Sequence, residues 1–238
     1  VHTPVVHGGM APTAGMIGSG NIKPGMVSET TGAALAICAT LDEPVISEKY
    51  LIPCQYHSVK NKYLLQPWCP TAGMSLKWFR DKFCEGKTYD ELTKLASDVE
   101  PGCEGLVLLP HLAGAGSPEF NPDARGVFFG FTLRHGKEHF VRATMESIAF
   151  MIKRNIEVLE EIGIEAKEIR VLGGGTRSSL WNSIKADVTG LPIVSLENEE
   201  CATLGSAILA GIATGAYSSL EEAIGIVVKE KQRIFPNK

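Results

Sequence analysis

The sequence lacks several features that would assign it to a specialised class of protein. No run of about 18 consecutive apolar residues occurs, so no membrane-spanning helix is expected. Basic residues are not in excess, since 23 Lys and Arg stand against 27 Asp and Glu for a net charge of −4. Because nucleic-acid binders usually carry a basic surface, we expect neither a nucleic acid nor a membrane as partner. The first residues contain no charged segment followed by an apolar one, so no signal peptide is expected.

Cysteine and histidine are present without the spacing of a cofactor or disulfide framework. The six cysteines include no Cys-x-x-Cys pair, and no His-Glu-x-x-His or Gly-x-Ser-x-Gly motif occurs. The cysteine pattern predicts reduced thiols in a cytoplasmic protein and no protein-bound metal. Hydrophobic residues make up 44% of the chain, which is enough for a folded core and excludes a disordered protein.

The periodicity of apolar residues predicts an α/β protein. The strongest signal is a helix over 137–162, in which Val141, Met145, Ile148, Ile152, Ile156 and Leu159 form one stripe. Further helices are predicted at 13–20, 74–83, 89–99, 178–189, 202–214 and 219–229. Strands are predicted at 4–7, 26–31, 33–41, 50–52, 62–66, 106–110, 168–172 and 192–196, and a long loop at 111–125. Antiparallel neighbours in the first half and alternating strands and helices in the second favour a mixed sheet.

Three glycine-containing turns follow predicted strands. Gly173-Gly174-Gly175 joins a strand to a helix, where glycines permit close backbone approach to a ligand and the helix start offers free N–H groups. Thr30-Thr31-Gly32 and Gly8-Gly9 are the other two turns. Each is equally consistent with an ordinary tight turn, so none of them alone predicts a phosphate site.

A set of motifs in the second half is more specific. Gly126-Val127-Phe128-Phe129-Gly130, with His139-Phe140 and Ala143-Thr144-Met145-Glu146, resembles the second signature of the FGGY carbohydrate kinases. Phe131 departs from that signature, which usually has a smaller aliphatic residue there. The order of the other segments fits along nearly the whole chain. The resemblance is to the C-terminal half of such a kinase, most similar to the xylulose kinases.

The resemblance implies an actin-like ATPase or ribonuclease-H-like domain, with a mixed sheet flanked by helices. It implies a single C-terminal domain over 1–238, with the N-terminal sugar-binding domain absent from this chain. The expected cofactor is ATP with Mg²⁺ carried by the nucleotide, and the expected substrate of the whole kinase is a ketose such as xylulose. A homo-oligomer is a further expectation, because a cleft wall would be exposed without the other domain.

The resemblance also assigns nucleotide-binding positions. Thr31 and Gly32 are expected beside the phosphates, and Gly73 and Lys77 are expected to line the nucleotide. The adenosine end of the nucleotide is then expected to lie against Gly174, Gly175 and Ser179.

One departure concerns catalysis. The family has a Gly-Gly-x-Asp-Gln type of sequence whose Asp takes the proton from the sugar hydroxyl, and this chain has Ala11 at the Asp position and Pro12 at the Gln position. A methyl group accepts no proton, and loss of a general base typically lowers a rate about 10²–10⁴-fold. The chain alone is therefore expected to be inactive. A non-catalytic ATP-binding or interaction domain on the same fold stays open as the alternative.

A dinucleotide-binding oxidoreductase is the third hypothesis, and it depends on the glycine run alone. The run is not Gly-x-Gly-x-x-Gly, and no acidic residue follows at the spacing that ribose recognition requires. This hypothesis is therefore the weakest of the three.

Overall fold

The computed structural model describes residues 3–237 and contains seven α-helices within them. The helices are α1 Ala11–Gly18, α2 Gly73–Phe83, α3 Tyr89–Ser97, α4 Lys137–Glu161, α5 Ser179–Thr189, α6 Cys201–Ala213 and α7 Leu220–Val227. The strands are β1 Val27–Thr31, β2 Leu35–Leu41, β3 Cys54–Tyr56, β4 Tyr63–Leu65, β5 Trp68–Cys69, β6 Val107–Leu109, β7 Val127–Phe129, β8 Ile169–Leu172, β9 Ile193–Leu196 and β10 Glu230–Ile234. Short 3₁₀ turns cover Cys103–Gly105 and Gly174–Arg177.

Eight strands form one mixed sheet in the order β10-β9-β8-β1-β2-β4-β3, with β5 paired to β2. Strand β1 lies at the centre, antiparallel to β2 and parallel to β8, and β8 is parallel to β9. Parallel neighbours need a crossover helix, which α5 supplies between β8 and β9. The mixed sheet that the sequence predicts is confirmed, and the carboxyl ends of β1 and β8 come to the same edge.

The long helix α4 fills the main core on one face of the sheet. Its six predicted stripe residues are all buried, and Val141, Ile148, Ile152 and Leu159 are fully enclosed. They pack in one cluster with sheet residues such as Val27 and Ile37 and with Trp181 of α5. The predicted apolar stripe is therefore the core-facing side of α4.

Helices α1 and α6 lie on the opposite face and cross at close range. A Cβ atom at Gly205 of α6 would overlap the carbonyl oxygen of Ala14, and one at Gly18 of α1 would overlap the carbonyl oxygen of Cys201. Glycines at the crossing let the two backbones touch. Ile17 and Ile208 pack together beside this crossing.

Two strand predictions from the sequence are wrong, and a third predicted strand lies outside the main sheet. Residues 4–7 belong to no strand, and the strand expected at 50–52 lies instead at Cys54–Tyr56. The run at 106–110 forms β6, but β6 pairs with β7 in a separate two-stranded sheet, and Val107 and Leu109 are exposed. An apolar run alone does not distinguish burial on two faces from burial on one.

The strands β5, β7 and β10 have no counterpart among the sequence predictions. Strand β10, Glu-Lys-Gln-Arg-Ile, is mostly exposed and pairs antiparallel with β9 at the edge of the sheet. Its polar composition follows from that edge position, since only one side of the strand meets a neighbour. Within residues 3–237, no helix is long and apolar enough to cross a membrane.

Candidate functional site

A cavity of about 570 Å³ opens where β1, α2 and the turn before α5 meet. Its walls come from the turn after β1, the first half of α2, the start of α3 and the Gly174–Arg177 turn. The lining residues are Thr31, Gly32, Ala33, Gly73, Met74, Leu76, Lys77, Tyr89, Asp90, Thr93, Gly174, Gly175, Arg177, Ser178 and Trp181. This volume lies in the range of small-molecule sites, and the lining is mainly apolar with a few polar groups.

Six of the seven positions that the resemblance assigns to the nucleotide line this one cavity. They are Thr31, Gly32, Gly73, Lys77, Gly174 and Gly175. The seventh, Ser179, is the exposed first residue of α5 and is not among the lining residues. The serine that lines the cavity is Ser178, whose hydroxyl caps α5 by accepting a hydrogen bond from the Trp181 N–H at 3.2 Å.

The Thr31-Gly32 turn is the meeting point of two walls. A Cβ atom at Gly73 would lie 2.5 Å from the carbonyl oxygen of Gly32, and the Gly73 N–H donates to that oxygen at 2.8 Å. On the other side, a Cβ atom at Gly175 would lie 2.9 Å from the Cβ of Thr31. Glycine at both positions is therefore a packing requirement, since any side chain would force the walls apart.

Backbone N–H groups give a positive electrostatic potential to the part of the cavity that is lined by the Gly174–Arg177 turn. Gly174 and Gly175 begin a 3₁₀ turn, so that turn contains no earlier carbonyl to accept their N–H groups. Helix α5 begins immediately afterwards and directs its N-terminal dipole toward the same part of the cavity. The arrangement is suited to an anion such as a phosphate.

Two cations of the lining are held by carboxylates. Lys77 forms an ion pair with Asp81 one turn further along α2. Hydrogen bonds from Lys77 and from Arg80 hold the pKa of Asp81 below its usual value. Arg177 bonds to Glu199 at 2.7 Å, which raises the pKa of the guanidinium. Both side chains are exposed, so each pair exchanges readily with an anionic ligand.

The cavity also has an aromatic wall, which was not predicted from the sequence. Tyr89 lies there with the Arg80 guanidinium 4.3 Å from its ring centre. The Trp181 indole N–H donates to the Met145 carbonyl at 3.0 Å, which fixes the ring in place. Trp181 reads from the sequence as a packing residue, and it does pack in the core while one face lines the cavity. A flat apolar surface of this kind is suited to a planar ring.

Ala11 lies outside this cavity, at the exposed start of α1. The preceding segment, His7 to Met10, lines a second cavity of about 360 Å³ together with Thr13 and His57. Among residues 3–237, no group of three or more His, Cys, Asp or Glu side chains has the geometry to hold a metal ion.

The residues of the second signature make structural contacts near the start of α4. A Cβ atom at Gly130 would overlap the carbonyl oxygen of Gly105, and the Gly136 N–H at the start of α4 donates to His139 Nδ1 at 3.1 Å. Glu146 accepts hydrogen bonds from the Gly102 N–H at 3.1 Å and from Arg142 Nε at 2.8 Å. The bond between Glu146 and Gly102 holds α4 to the turn before β6, which gives this residue of the motif a structural role.

The fold and the cavity together define an actin-like ATPase domain. The structure superposes on that of a xylulose kinase from Rhodospirillum rubrum with a TM-score of 0.84 and 28% identity, over 95% of this chain and 46% of that one. The model of the FGGY family of carbohydrate kinases, C-terminal domain, matches residues 26–214. The chain belongs to this family.

Relatives of different sugar specificity match to a similar degree. A gluconokinase from Bacillus licheniformis is 34% identical over 92% of this chain and 45% of its own length. A xylulose kinase from Bacillus subtilis is 29% identical over 98% of this chain and 47% of its own length. The chain thus spans about half the length of the curated relatives it matches, and the comparisons show the family without separating one acceptor from the other.

Proposed function

We propose that this chain is the nucleotide-binding half of an ATP-dependent kinase that phosphorylates a hydroxyl of a sugar. The observation that carries the proposal is the convergence of Thr31, Gly32, Gly73, Gly174 and Gly175 on one cavity. Four glycines are brought together there from segments that are far apart in sequence. Family membership supports phosphoryl transfer as the chemistry. The nucleotide-binding half would take part in that reaction by holding ATP.

The residues that line the cavity fit both the polar and the planar parts of ATP. The N–H groups of Gly174 and Gly175 and the start of α5 would hold phosphate oxygens, in place of the adenosine end that the resemblance assigns to these glycines, because Gly175 packs on Thr31 and the resemblance places Thr31 beside the phosphates. Lys77 would exchange its Asp81 partner for a phosphate charge. Tyr89 and Trp181 would enclose the adenine ring, with Ser178 and Thr93 beside the ribose. Bound ATP supplies the phosphoryl group, and its phosphates supply ligands for Mg²⁺.

The acceptor sugar is the finer part of the proposal. We assign a ketose such as xylulose, supported by the xylulose kinases among the relatives in sequence and structure. Gluconate, the acceptor named by the gluconokinase relative, is the competing assignment. The proposal includes a cytoplasmic location, which agrees with six free cysteines in the structure.

A calorimetric titration of the chain with ATP and Mg²⁺, repeated with NAD, tests the nucleotide site. We expect saturable binding of ATP and none of NAD. Binding of NAD without ATP would replace the proposal with a dinucleotide site. Binding of neither would contradict a nucleotide site in this chain.

The exposed methyl group of Ala11 favours a second candidate, an ATP-binding domain without catalysis. The two candidates are separated by Ala11→Asp in a protein that also contains a sugar-binding domain. If the chain is half of a kinase, the carboxylate raises the rate of sugar phosphorylation by about 10²–10⁴-fold. Ala11→Asn is the matched control, because the amide has the same shape and accepts no proton at neutral pH. Unchanged rates in Ala11→Asp with ATP still bound would favour the non-catalytic domain.

A further inference from the structure

A lysine and a glutamate form an ion pair in the interior directly behind the cavity. The Lys185 side chain of α5 is 1% exposed and that of Glu29 of β1 is 0% exposed, with Nζ 2.8 Å from Glu29 Oε2. Desolvation of two charges commonly offsets the attraction between them, so such a pair is weak evidence for a gain in stability. Its position next to the cavity suggests a different use.

Thr31 connects this ion pair to the cavity. Lys185 Nζ donates to Thr31 Oγ1 at 2.9 Å, and the Thr31 hydroxyl donates to Glu29 Oε1. A hydroxyl has a single hydrogen to donate, and here the carboxylate receives it. The hydroxyl is thus engaged within the protein, and Thr31 meets a ligand with its backbone and the rest of its side chain.

The side chain held in this way supports the glycine turn opposite. A Cβ atom at Gly175 would lie 2.9 Å from Thr31 Cβ and 3.1 Å from Thr31 Cγ2. The Gly174–Arg177 turn therefore packs directly on Thr31, and rotation of that side chain would displace it. The same lysine ammonium lies 5.4 Å from the centre of the Trp181 ring, but the hydrogen bond from the indole N–H to the Met145 carbonyl holds that ring without the lysine.

We propose that Lys185 and Glu29 are positioning residues of the nucleotide site. By holding Thr31 in one orientation, they fix the Gly174–Arg177 turn at the place where its N–H groups meet the phosphates. The inference depends on the proposed nucleotide site and adds to it two residues that do not line the cavity. It predicts that the pair contributes to the recognition of phosphate and has little effect on that of the nucleoside.

The test is the ratio of the dissociation constants of adenosine and ADP, measured by calorimetry on the intact chain. The variant is the double substitution Lys185→Met with Glu29→Gln, which removes both charges and keeps similar shapes. We expect the Kd of ADP to rise about tenfold with that of adenosine unchanged, so that the ratio falls about tenfold. A ratio equal to that of the unchanged chain would overturn the positioning role.

The chain contains a matched control in a second buried ion pair. Arg142 and Glu146 of α4 are 8% and 6% exposed, with Nε 2.8 Å from Oε1, and neither lines the cavity. The double substitution Arg142→Met with Glu146→Gln should change the thermal stability and leave the ratio as it is. An equal fall of the ratio in this control would show that any loss of buried charge has the effect, which also overturns the inference.

Two further outcomes keep the test decisive. If the Lys185 and Glu29 variant does not fold, Thr31→Val breaks the link while leaving the ion pair in place. The inference then requires a lower ratio in Thr31→Val, and an unchanged ratio contradicts it. If the unchanged chain binds ADP no more tightly than adenosine, the proposed phosphate site itself fails, whereas a preserved ratio in the variants refutes the positioning role alone.

Discussion

Gly175 packs directly against Thr31, across the junction of two parallel strands. A Cβ atom at Gly175 would lie 2.9 Å from the Cβ and 3.2 Å from the carbonyl oxygen of Thr31. Strand β1 ends at Thr31, and β8 ends three residues before Gly175. Because β1 and β8 are parallel neighbours, their following turns meet at one edge of the sheet. That contact joins two of the turns that line the cavity.

Gly175→Val should weaken ATP binding by at least about tenfold. The added side chain is directed at Thr31 and pushes the glycine turn away from it, so the turn loses its position while the core stays intact. Calorimetric titration with ATP and Mg²⁺ measures the change. Gly225→Val on α7 is the control, because a Cβ atom there meets no other atom within 4 Å. Equal affinity in Gly175→Val and the unchanged chain would remove the glycine run from the site.

Gly205→Val should destabilise the fold by about 1–3 kcal/mol or more. The first added carbon overlaps the Ala14 carbonyl oxygen, which is backbone and cannot rotate away, so α6 must separate from α1. Denaturant unfolding gives the free energy of unfolding. The neighbouring Ser206→Val, at an exposed position of the same helix, should differ from the unchanged chain by less than about 0.5 kcal/mol. Comparable losses in both variants would contradict close packing of α1 and α6.

Ile148→Asp should lower the free energy of unfolding by several kcal/mol, on the order of 4. Ile148 is fully buried in the main core, where it packs among apolar side chains. Thermal and denaturant unfolding provide the measurement. Phe150→Asp on the same helix is the comparison, because Phe150 is 46% exposed and the new carboxylate reaches water. A melting temperature that Ile148→Asp leaves unchanged would mean that the stripe is not the core.

Cys54 should be the thiol that reacts fastest in the folded protein. Burial raises the pKa of the Cys38, Cys69, Cys103 and Cys201 thiols to about 12, so at pH 8 roughly one in 10⁴ is a thiolate. Cys54 is partly exposed.

Mass spectrometry of peptides after brief treatment with iodoacetamide at pH 8 locates the reacted thiols. Raising the pH within the range in which the chain stays folded should increase labelling of Cys38, Cys69, Cys103 and Cys201, because the thiolate is the reacting form. In denaturant, all six cysteines should react at similar rates. Rapid labelling of Cys69 or Cys103 in the folded chain would contradict their burial.

Much of the fold follows from local patterns in the sequence. The stripe from Val141 to Leu159 has a period that only a helix satisfies, and the turn at Gly32 separates two β-branched and apolar runs that pair as β1 and β2. The strand β10 could not be found in this way. Its residues carry no alternation of apolar and polar side chains, and it becomes a strand because β9 offers it an open edge.

The residues of the candidate site also fall into two groups, those that local motifs predict and those that depend on tertiary packing. The glycines at 32, 73, 174 and 175 could be selected from their motifs, since backbone approach needs glycine wherever it occurs. Two features of the site could not be selected in this way: Ser178 lines the cavity in place of Ser179, and Tyr89 and Trp181 line it with aromatic rings. Both features depend on the angle at which α3 and α5 meet the sheet. No local pattern in the sequence determines that angle.

The sequence by itself therefore determined the class of fold, the family and the glycines of one cavity, because periodicity and motifs are local properties of the chain. The tertiary structure alone brought Glu29, Thr31 and Lys185 together behind that cavity. Lys185 is more than 150 positions away from its two partners, and nothing in its neighbourhood in the sequence marks it as a buried charge. The pairing exists because β1 and α5 pack against each other, and it is the packing of distant segments that decides which polar side chains must be partners.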